Sequence, residues 1–295
     1  MIMKKKTIAF FARNIHDSVG ECIWKGILQK ASDLDINILT FRGDILGVDT
    51  GSIIYQLVSD RVIDGIISWA SSEDDGSLKF FDRYSNIPLI TITIKLPGIP
   101  AIFADNYSGM KVLIEHLIHK HGKKKIAFIR GPESHVYAKE RYNAYKDTIK
   151  KHGFVDNEQL VTPPRGWSQE CGIASMKTLF EERHLKPGAD VDAIVCVNDL
   201  TAIGVCGYLN ENGFIVPSDI AVTGYNNSTQ ALSITPPVTT VALPFEEMGE
   251  LSVDLVEKKL RDHKVAEKHL LPAHLVLGES CGCQSLSIVR AGRKG

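Results

Sequence analysis

Short apolar runs rich in Ile, Val and Phe recur along the chain, at residues 7–12, 36–41, 65–68, 89–94, 125–129, 193–197 and 220–223. Each has the length and the β-branched content of a strand buried on both faces. Between these runs the period changes. Met110, Leu113, Ile114, Leu117 and Ile118 stand at helical spacing and form one apolar stripe, and Met248, Leu251, Leu255 and Val256 repeat the pattern. Three helical segments stop at a glycine and lead towards a strand, at His121-Gly122, His152-Gly153 and Asn212-Gly213, as expected where glycine takes the left-handed position after a helix end. The alternation predicts an α/β fold with parallel sheets flanked by helices.

Two lobes account for the order of these segments better than one wide sheet. Asp105-Asn106 opens a helix after a short run at residues 101–103, and a fresh strand-helix series begins at Lys123. After the last full unit come Thr235-Pro236-Pro237-Val238-Thr239-Thr240-Val241, extended and proline-containing, then a helix over about residues 244–261 and a Leu-rich strand near residues 270–277. A helix and strand added after a finished lobe imply that the chain crosses between lobes more than once. The expected division is residues 1–121 with about 244–265 for the first lobe and residues 122–243 with about 266–283 for the second. Residues 284–295 read as a short, basic, unpatterned tail.

Composition narrows the function. With 44% hydrophobic and 23% charged residues the chain is that of an ordinary globular protein. Lys and Arg total 34 against 35 for Asp and Glu, a net charge of −1, so the basic excess that non-specific phosphate binding leaves in a composition is missing. The apolar run between Lys6 and Arg13 is too short for a signal-peptide core, and no stretch approaches the ~20 apolar residues of a spanning helix. A cytoplasmic protein without a membrane segment is expected, its six cysteines reading as free thiols.

Only Cys281-Gly282-Cys283 resembles a metal or redox spacing, and it lacks a second Cys/His pair at zinc-finger distance. His116, His119 and His121 lie near a helix C-terminus, where cationic side chains are electrostatically welcome. No metal and no cofactor is therefore expected. The phosphate loop G-x-x-x-x-G-K-[ST], the zinc motif H-E-x-x-H and a G-x-G-x-x-G after the first strand are missing from the sequence, and neither a G-x-S-x-G nucleophile elbow nor a catalytic set is expected.

In open α/β sheets, ligands bind outside the carboxyl ends of strands, which directs attention to the residues there. Asn198-Asp199 follows one strand and opens a helix. Such a pair serves equally well as an N-cap or as a polar pair facing a ligand. Asn226-Asn227 follows another after Gly224-Tyr225, and either closes a turn or adds a second amide pair. Arg13-Asn14 with Asp17, and Trp69, occupy the corresponding places after the first and third strands. An aromatic face at such a rim stacks on sugars and planar ligands, or packs a loop. Arg141 on a helix and Trp167 after Pro163-Pro164-Arg165-Gly166, taken singly, read as a solvated charge and a loop anchor.

Together these stretches resemble the effector-binding core of the lac-repressor (LacI/GalR) family, itself similar to periplasmic sugar-binding proteins. The resemblance spans nearly the whole chain. It rests on Asp105-Asn106-Tyr107-Ser108-Gly109, Glu115-His116-Leu117-Ile118, Lys125-Ile126-Ala127-Phe128-Ile129-Arg130-Gly131-Pro132 and Arg141 ahead of Ala144-Tyr145. It continues through Asp192-Ala193-Ile194-Val195-Cys196-Val197-Asn198-Asp199, Val216-Pro217-Ser218-Asp219-Ile220-Ala221-Val222-Thr223-Gly224-Tyr225 and Pro236-Pro237-Val238-Thr239-Thr240-Val241.

The resemblance implies a two-lobed, periplasmic-binding-protein-like fold with three crossovers, a ligand cleft between the lobes, and a homodimer. It places Arg141, Trp167, Asn198, Asp199 and Asn226 at positions that commonly touch the ligand, with Asn14 and Trp69 on loops that do so less regularly. Asp199 would accept from hydroxyls, Arg141 would donate, and Trp167 would pack against a small, polar, sugar-like effector. Closure of the lobes would be the signal. Two departures stand out. The first core strand starts at Thr7, without the helix-turn-helix of family repressors ahead of it, so DNA contact is expected from a fused or partner output domain. Asn226-Asn227 stands where the family commonly has two aspartates, and amides add donors that carboxylates lack. Leu277-Gly278-Glu279-Ser280-Cys281-Gly282-Cys283 looks like the end of this core in regulators fused to another signalling module. The other reading on the same fold is a solute-binding protein of an uptake transporter, which would need an export signal. An enzyme on this scaffold would need a nucleophile, metal set or acid-base pair at the strand ends.

Overall fold

The computed structural model describes residues 5–12, 14–42, 62–69, 86–154, 157–284 and 287–290. Arg13 and parts of the expected tail lie outside them. The chain divides into two compact units, Met1–Ala104 with Pro244–Leu271 and Asp105–Leu243 with Pro272–Gly295, and so passes between them at three points.

These boundaries differ from the sequence expectation at two places. Helix α2 (Asn106–His121) belongs to the second unit, not the first, because its buried face of Met110, Leu113, Ile114 and Leu117 packs against helix α3 (Val136–Lys151) and strands of that unit. Residues 268–271 belong to the first unit, because they pair with its edge strand rather than continuing to residue 277.

The first unit is built on a six-stranded parallel sheet. Its strands are β1 (Thr7–Ala12), β2 (Asn37–Arg42), β3 (Gly65–Trp69), β4 (Leu89–Ile92), β5 (Ala101–Ala104) and β10 (Lys268–Leu271), in the spatial order β10-β5-β4-β3-β1-β2. Strands β1, β3 and β4 are almost wholly buried, as their unbroken apolar runs require. Helices α1 (Ser18–Asp33) and α7 (Phe245–Leu260) pack together in this unit. The second unit holds a parallel sheet of β6 (Ile126–Ile129), β7 (Ala193–Cys196) and β8 (Ala221–Thr223), in that order. Helices α4 (Gln169–Lys177), α5 (Asp199–Glu211) and the short α6 (Thr229–Ser233) follow the sequence expectation of strand-helix alternation. Gly122, Gly153 and Gly213 after the helix ends all have positive φ, at 65°, 72° and 81°.

A second, antiparallel sheet in this unit departs from the expectation of parallel sheets alone. It joins β9 (Thr240–Ala242), β11 (His274–Leu277) and β12 (Ser287–Arg290). Strand β12 lies within the segment read as an unpatterned tail, its backbone pairing with β11 from His274↔Arg290 to Leu277↔Ser287.

The same device brings a helix pair together in each unit. An added Cβ at Gly249 of α7 would stand 2.2 Å from the carbonyl oxygen of Ile23 in α1, and one at Gly204 of α5 would stand 2.1 Å from that of Gln169 at the start of α4. Backbone meets backbone there, which only a residue without a side chain allows. Gly207, one turn along the same helix, is exposed and has nothing within 4 Å of its added Cβ. The two glycines of α5 should therefore respond oppositely to alanine. Gly204→Ala is expected to destabilise by about 1–3 kcal/mol through overpacking, and Gly207→Ala to stabilise by about 0.5–1 kcal/mol through helix propensity. Urea unfolding of the two variants checks this, and equal shifts would refute the packing argument.

Candidate functional site

The sequence-predicted residues fall into two groups, one in each unit. In the first unit, Asn14 follows β1 and accepts from the His16 backbone N–H at 3.0 Å. Asp17 caps α1 through the Gly20 N–H at 2.8 Å. Trp69 is the last residue of β3, half-buried and in register with Ala12 of β1. Asn14 and Trp69 converge on Gly20, whose added Cβ would lie 1.8 Å from the Asn14 carbonyl oxygen and 2.9 Å from the Trp69 ring.

In the second unit, Arg141, Trp167, Asn198, Asp199 and Asn226 form one network. Arg141 on α3 is 2% exposed. Its Nε donates to Asn106 Oδ1 at 2.8 Å, Nη1 to the Val197 carbonyl at 2.6 Å and Nη2 to Asn226 Oδ1 at 3.0 Å. Its guanidinium carbon lies 3.9 Å from the centroid of the Tyr225 ring and 6.0 Å from that of Trp167. The solvated helix charge that Arg141 resembles in isolation is thus a buried cation, held by neutral acceptors and aromatic faces. Burial pulls its pKa down, and the nearby Tyr225 and Asp199 work against that pull.

Asn198 satisfies the structural half of its reading. It caps α5, accepting from the Thr201 N–H at 3.0 Å, while Nδ2 donates to the Trp167 carbonyl at 2.9 Å. Asp199 is 1% exposed. Its Oδ2 accepts from the Ser228 N–H at 2.5 Å and its Oδ1 from the Thr240 hydroxyl at 2.6 Å. Asn226 and Asn227 take φ of 102° and 57°, the left-handed turn expected of them. Trp167 is half-buried, with the His135 ring packed edge-on against it at 4.8 Å.

Two residues the sequence reading left unassigned complete the network. Asn106 carries Arg141, and Tyr225 lies fully buried beside it, its hydroxyl donating to the Asn106 carbonyl at 3.1 Å. A signal for Asn106 was present: Asp105 already caps α2 through the Ser108 N–H at 2.9 Å, which leaves the adjacent buried amide without a capping task.

The run Gly278-Glu279-Ser280-Cys281-Gly282 spells the G-x-S-x-G of a nucleophile elbow. Ser280 is no nucleophile in this geometry. Its side chain is fully buried, accepting from the Thr239 N–H at 2.9 Å and donating to the Val222 carbonyl at 2.6 Å, and so clasps the segment to β8. The two histidine and cysteine motifs, read separately as unsuited to a metal, are brought together by the fold: His116, His121, Cys281 and Cys283 place their ligand atoms within 4.8 Å of one another. His119 turns away and packs its ring against His152 at 4.9 Å.

Residues 114–281, more than half of the chain, match the model of the periplasmic binding protein-like domain. The chain belongs to that family. As a periplasmic binding protein-like chain it is 28% identical over 223 residues to the HTH-type transcriptional regulator CelR of Thermobifida fusca, covering 74% of this chain and 63% of that protein. The match thus spans less than two thirds of the relative's length. The fold is shared with the solved complex of the transcriptional regulator CelR with cellobiose (TM-score 0.77, 24% identity, 94% of this chain and 85% of that one). It is also shared with the lac repressor dimer bound to operator and the anti-inducer ONPF (TM-score 0.81, 21% identity, 94% of each chain). No helix among the described residues is long and apolar enough to cross a membrane.

Burial pushes the Asp199 carboxyl up to about 6, against the opposing pull of the Ser228 and Thr240 hydrogen bonds and of Arg141. Between the ordinary carboxylate value and pH 6 the folded chain keeps a proton that the unfolded chain has released. The group's contribution to stability is therefore present at low pH and is lost as pH rises through that window. Asp199→Asn removes this titration, and Thr240 can rotate its hydroxyl to accept from the new amide. As pH falls from about 6 to about 4, wild type should gain on the variant by up to ~1.4 kcal/mol per unit, ~3 kcal/mol in all. Urea unfolding of both proteins across that range tests the effect, and parallel stability curves would show that Asp199 does not titrate there.

Proposed function

We propose that this chain is the effector-sensing part of a LacI-type transcriptional regulator or of a related signalling regulator, and that it binds a small polar metabolite of the sugar class. The residues proposed to contact effector are Asn14 and Trp69 in the first unit and Arg141, Trp167, Asn198, Asp199 and Asn226 in the second. Arg141 donates to effector oxygens, Trp167 and Trp69 offer aromatic faces, and Asp199 accepts from hydroxyls. Asn198 and Asn226 set the shape of the rim and present amides to it.

The observation that carries this reading is Arg141. A guanidinium fixed by three neutral acceptors at strand and helix ends is a preorganised donor at the place where α/β folds take their ligands. The relatives support the class: one is a regulator solved with cellobiose, another a repressor solved with operator. Effector binding shifts the balance between arrangements of the two units, and a homodimer passes that shift to an output domain. A net charge of −1 supports assigning DNA contact to that output domain, in the same chain or a partner. The protein works in the cytoplasm and performs no catalysis.

The test is a thermal-shift and calorimetric screen with cellobiose, lactose, glucose, galactose and ribose. A binder at 100 times its dissociation constant stabilises by about 2.7 kcal/mol. Arg141→Gln, which keeps an amide donor but loses the charge and the fork, is expected to reduce that stabilisation to near zero. A screen in which none of the sugars binds would overturn the sugar assignment. A variant retaining the full shift would overturn the role of Arg141.

A further inference from the structure

We propose that His116, His121, Cys281 and Cys283 form a closed tetrahedral site for a zinc ion, separate from the effector residues. The two imidazole Nε2 atoms lie 3.2 Å apart. Cys283 Sγ lies 3.4 Å from the His116 nitrogen and 3.5 Å from that of His121, and Cys281 Sγ lies 3.7 Å from the His116 nitrogen. A tetrahedral zinc with Zn–N of about 2.0–2.1 Å and Zn–S of about 2.3 Å sets its nitrogens about 3.3 Å apart and each nitrogen about 3.6 Å from each sulfur. These four edges agree with that polyhedron within a few tenths of an ångström, and the other two, from Cys281 to His121 and to Cys283, are no longer than 4.8 Å.

The ligand types favour the same ion. Two thiolates and two imidazoles at tetrahedral spacing are the donor set of zinc, and two thiolates match its charge. Four protein ligands leave no open position, so the site is structural and not a centre for hydrolysis. The ligands are also mounted for the purpose. His116 and His121 stand at the end of α2, and Gly122 beyond them turns left-handed at φ 65°. Cys281 and Cys283 flank Gly282, whose φ of 105° folds the two sulfurs to one side and whose missing Cβ would stand 3.2 Å from the His121 ring. The Thr239 hydroxyl lies 3.0 Å from Cys281 Sγ and 2.9 Å from the Gly278 carbonyl, within reach to orient a ligating sulfur as outer groups commonly do. The Ser280 clasp holds the turn on β8. A zinc there would staple the C-terminal end of α2 to a turn about 160 residues further along the chain, replacing loop-closure freedom by coordination.

The test uses the full chain, kept reduced, stripped with a chelator, reloaded with zinc chloride and desalted. Elemental analysis should find one zinc per chain, and the melting temperature should rise on loading. Cobalt(II) in place of zinc should give the intense visible bands of a tetrahedral ion together with thiolate-to-cobalt charge transfer in the near ultraviolet. Cys283→Ser and His121→Asn, both at partly exposed positions, should weaken zinc binding by more than about 100-fold, beyond what losing an outer hydrogen-bond partner costs. Circular dichroism of the metal-free variants should match wild type. Sub-stoichiometric zinc in wild type, an octahedral cobalt spectrum, or a folded variant that binds zinc as tightly as wild type would each overturn the proposal. Should both variants fail to fold, stoichiometry and the cobalt spectrum of wild type decide it. None of these readouts involves a sugar, so the result is independent of the effector assignment.

Discussion

A guanidinium taken out of water must find acceptors for donors fixed in one plane, and Arg141 meets that demand on three separate stretches of chain. Asn106 opens α2, Val197 closes the run of β7, and Asn226 sits in the turn after β8. None of these partners carries a charge, so the arginine is not cancelled by an ion pair. It is held by hydrogen bonds and by the face of Tyr225, 3.9 Å from the guanidinium carbon. Losing any one acceptor would leave a buried donor unmatched, a cost of about 1–3 kcal/mol. The ends of two strands and one helix are therefore placed relative to one another by a single side chain.

Asp199 does the complementary work with the opposite charge. Its two oxygens take the Ser228 N–H and the Thr240 hydroxyl, which ties the start of α5 to the approach to α6 and to β9. Gly224 makes room for it, because an added Cβ there would stand 2.3 Å from Asp199 Oδ1. A buried cation and a buried carboxylate, both bonded within the second unit, hold these strand and helix ends stiffly. Stiffness of this kind lowers the ordering cost of binding. It also means that the polar pair Asn198-Asp199 is both scaffold and candidate binding surface, the two roles its position in the sequence left equally open.

Much of this architecture was legible in the residues. Unbroken apolar runs marked the buried strands, because a strand covered on both faces has no polar alternation to confuse with a loop. The helix ends at Gly122, Gly153 and Gly213 were legible because few other residues take their positive φ without strain. What stayed hidden depended on pairing across long separations. The apolar stripe of α2 shows that the helix packs, not on which sheet, so the unit boundary was set too late. Strand β12 is short, and only its ladder with β11 distinguishes it from a tail. Arg141 on an amphipathic helix looks like any surface arginine until its acceptors, 35, 56 and 85 positions away, are known. The same holds for Cys281 and Cys283 against histidines more than 160 positions earlier.

The second unit closes these long-range contacts into a circuit. Helix α2 is held at its first residue, where Asn106 accepts from Arg141 and receives the Tyr225 hydroxyl at its carbonyl. Over its last two turns, His116 and His121 face the Cys-Gly-Cys turn. That turn is fastened through Ser280 to Val222 of β8, and β8 leads directly into Tyr225 and Asn226, back at Arg141. Sixteen helical residues span about 24 Å, so the two ends are too far apart to influence each other except through the rigidity of the helix and of β8. The ends are held by different physics. At one end the partners are neutral dipoles around a permanent cation, insensitive to redox state and metal supply. At the other they are thiols and imidazoles, whose grip would depend on both if they hold the proposed zinc. With zinc bound as proposed, a helix fixed firmly at Arg141 and conditionally at its far end would keep the geometry around Arg141 constant, while the strength of the circuit as a whole would respond to the chemistry of the sulfur end.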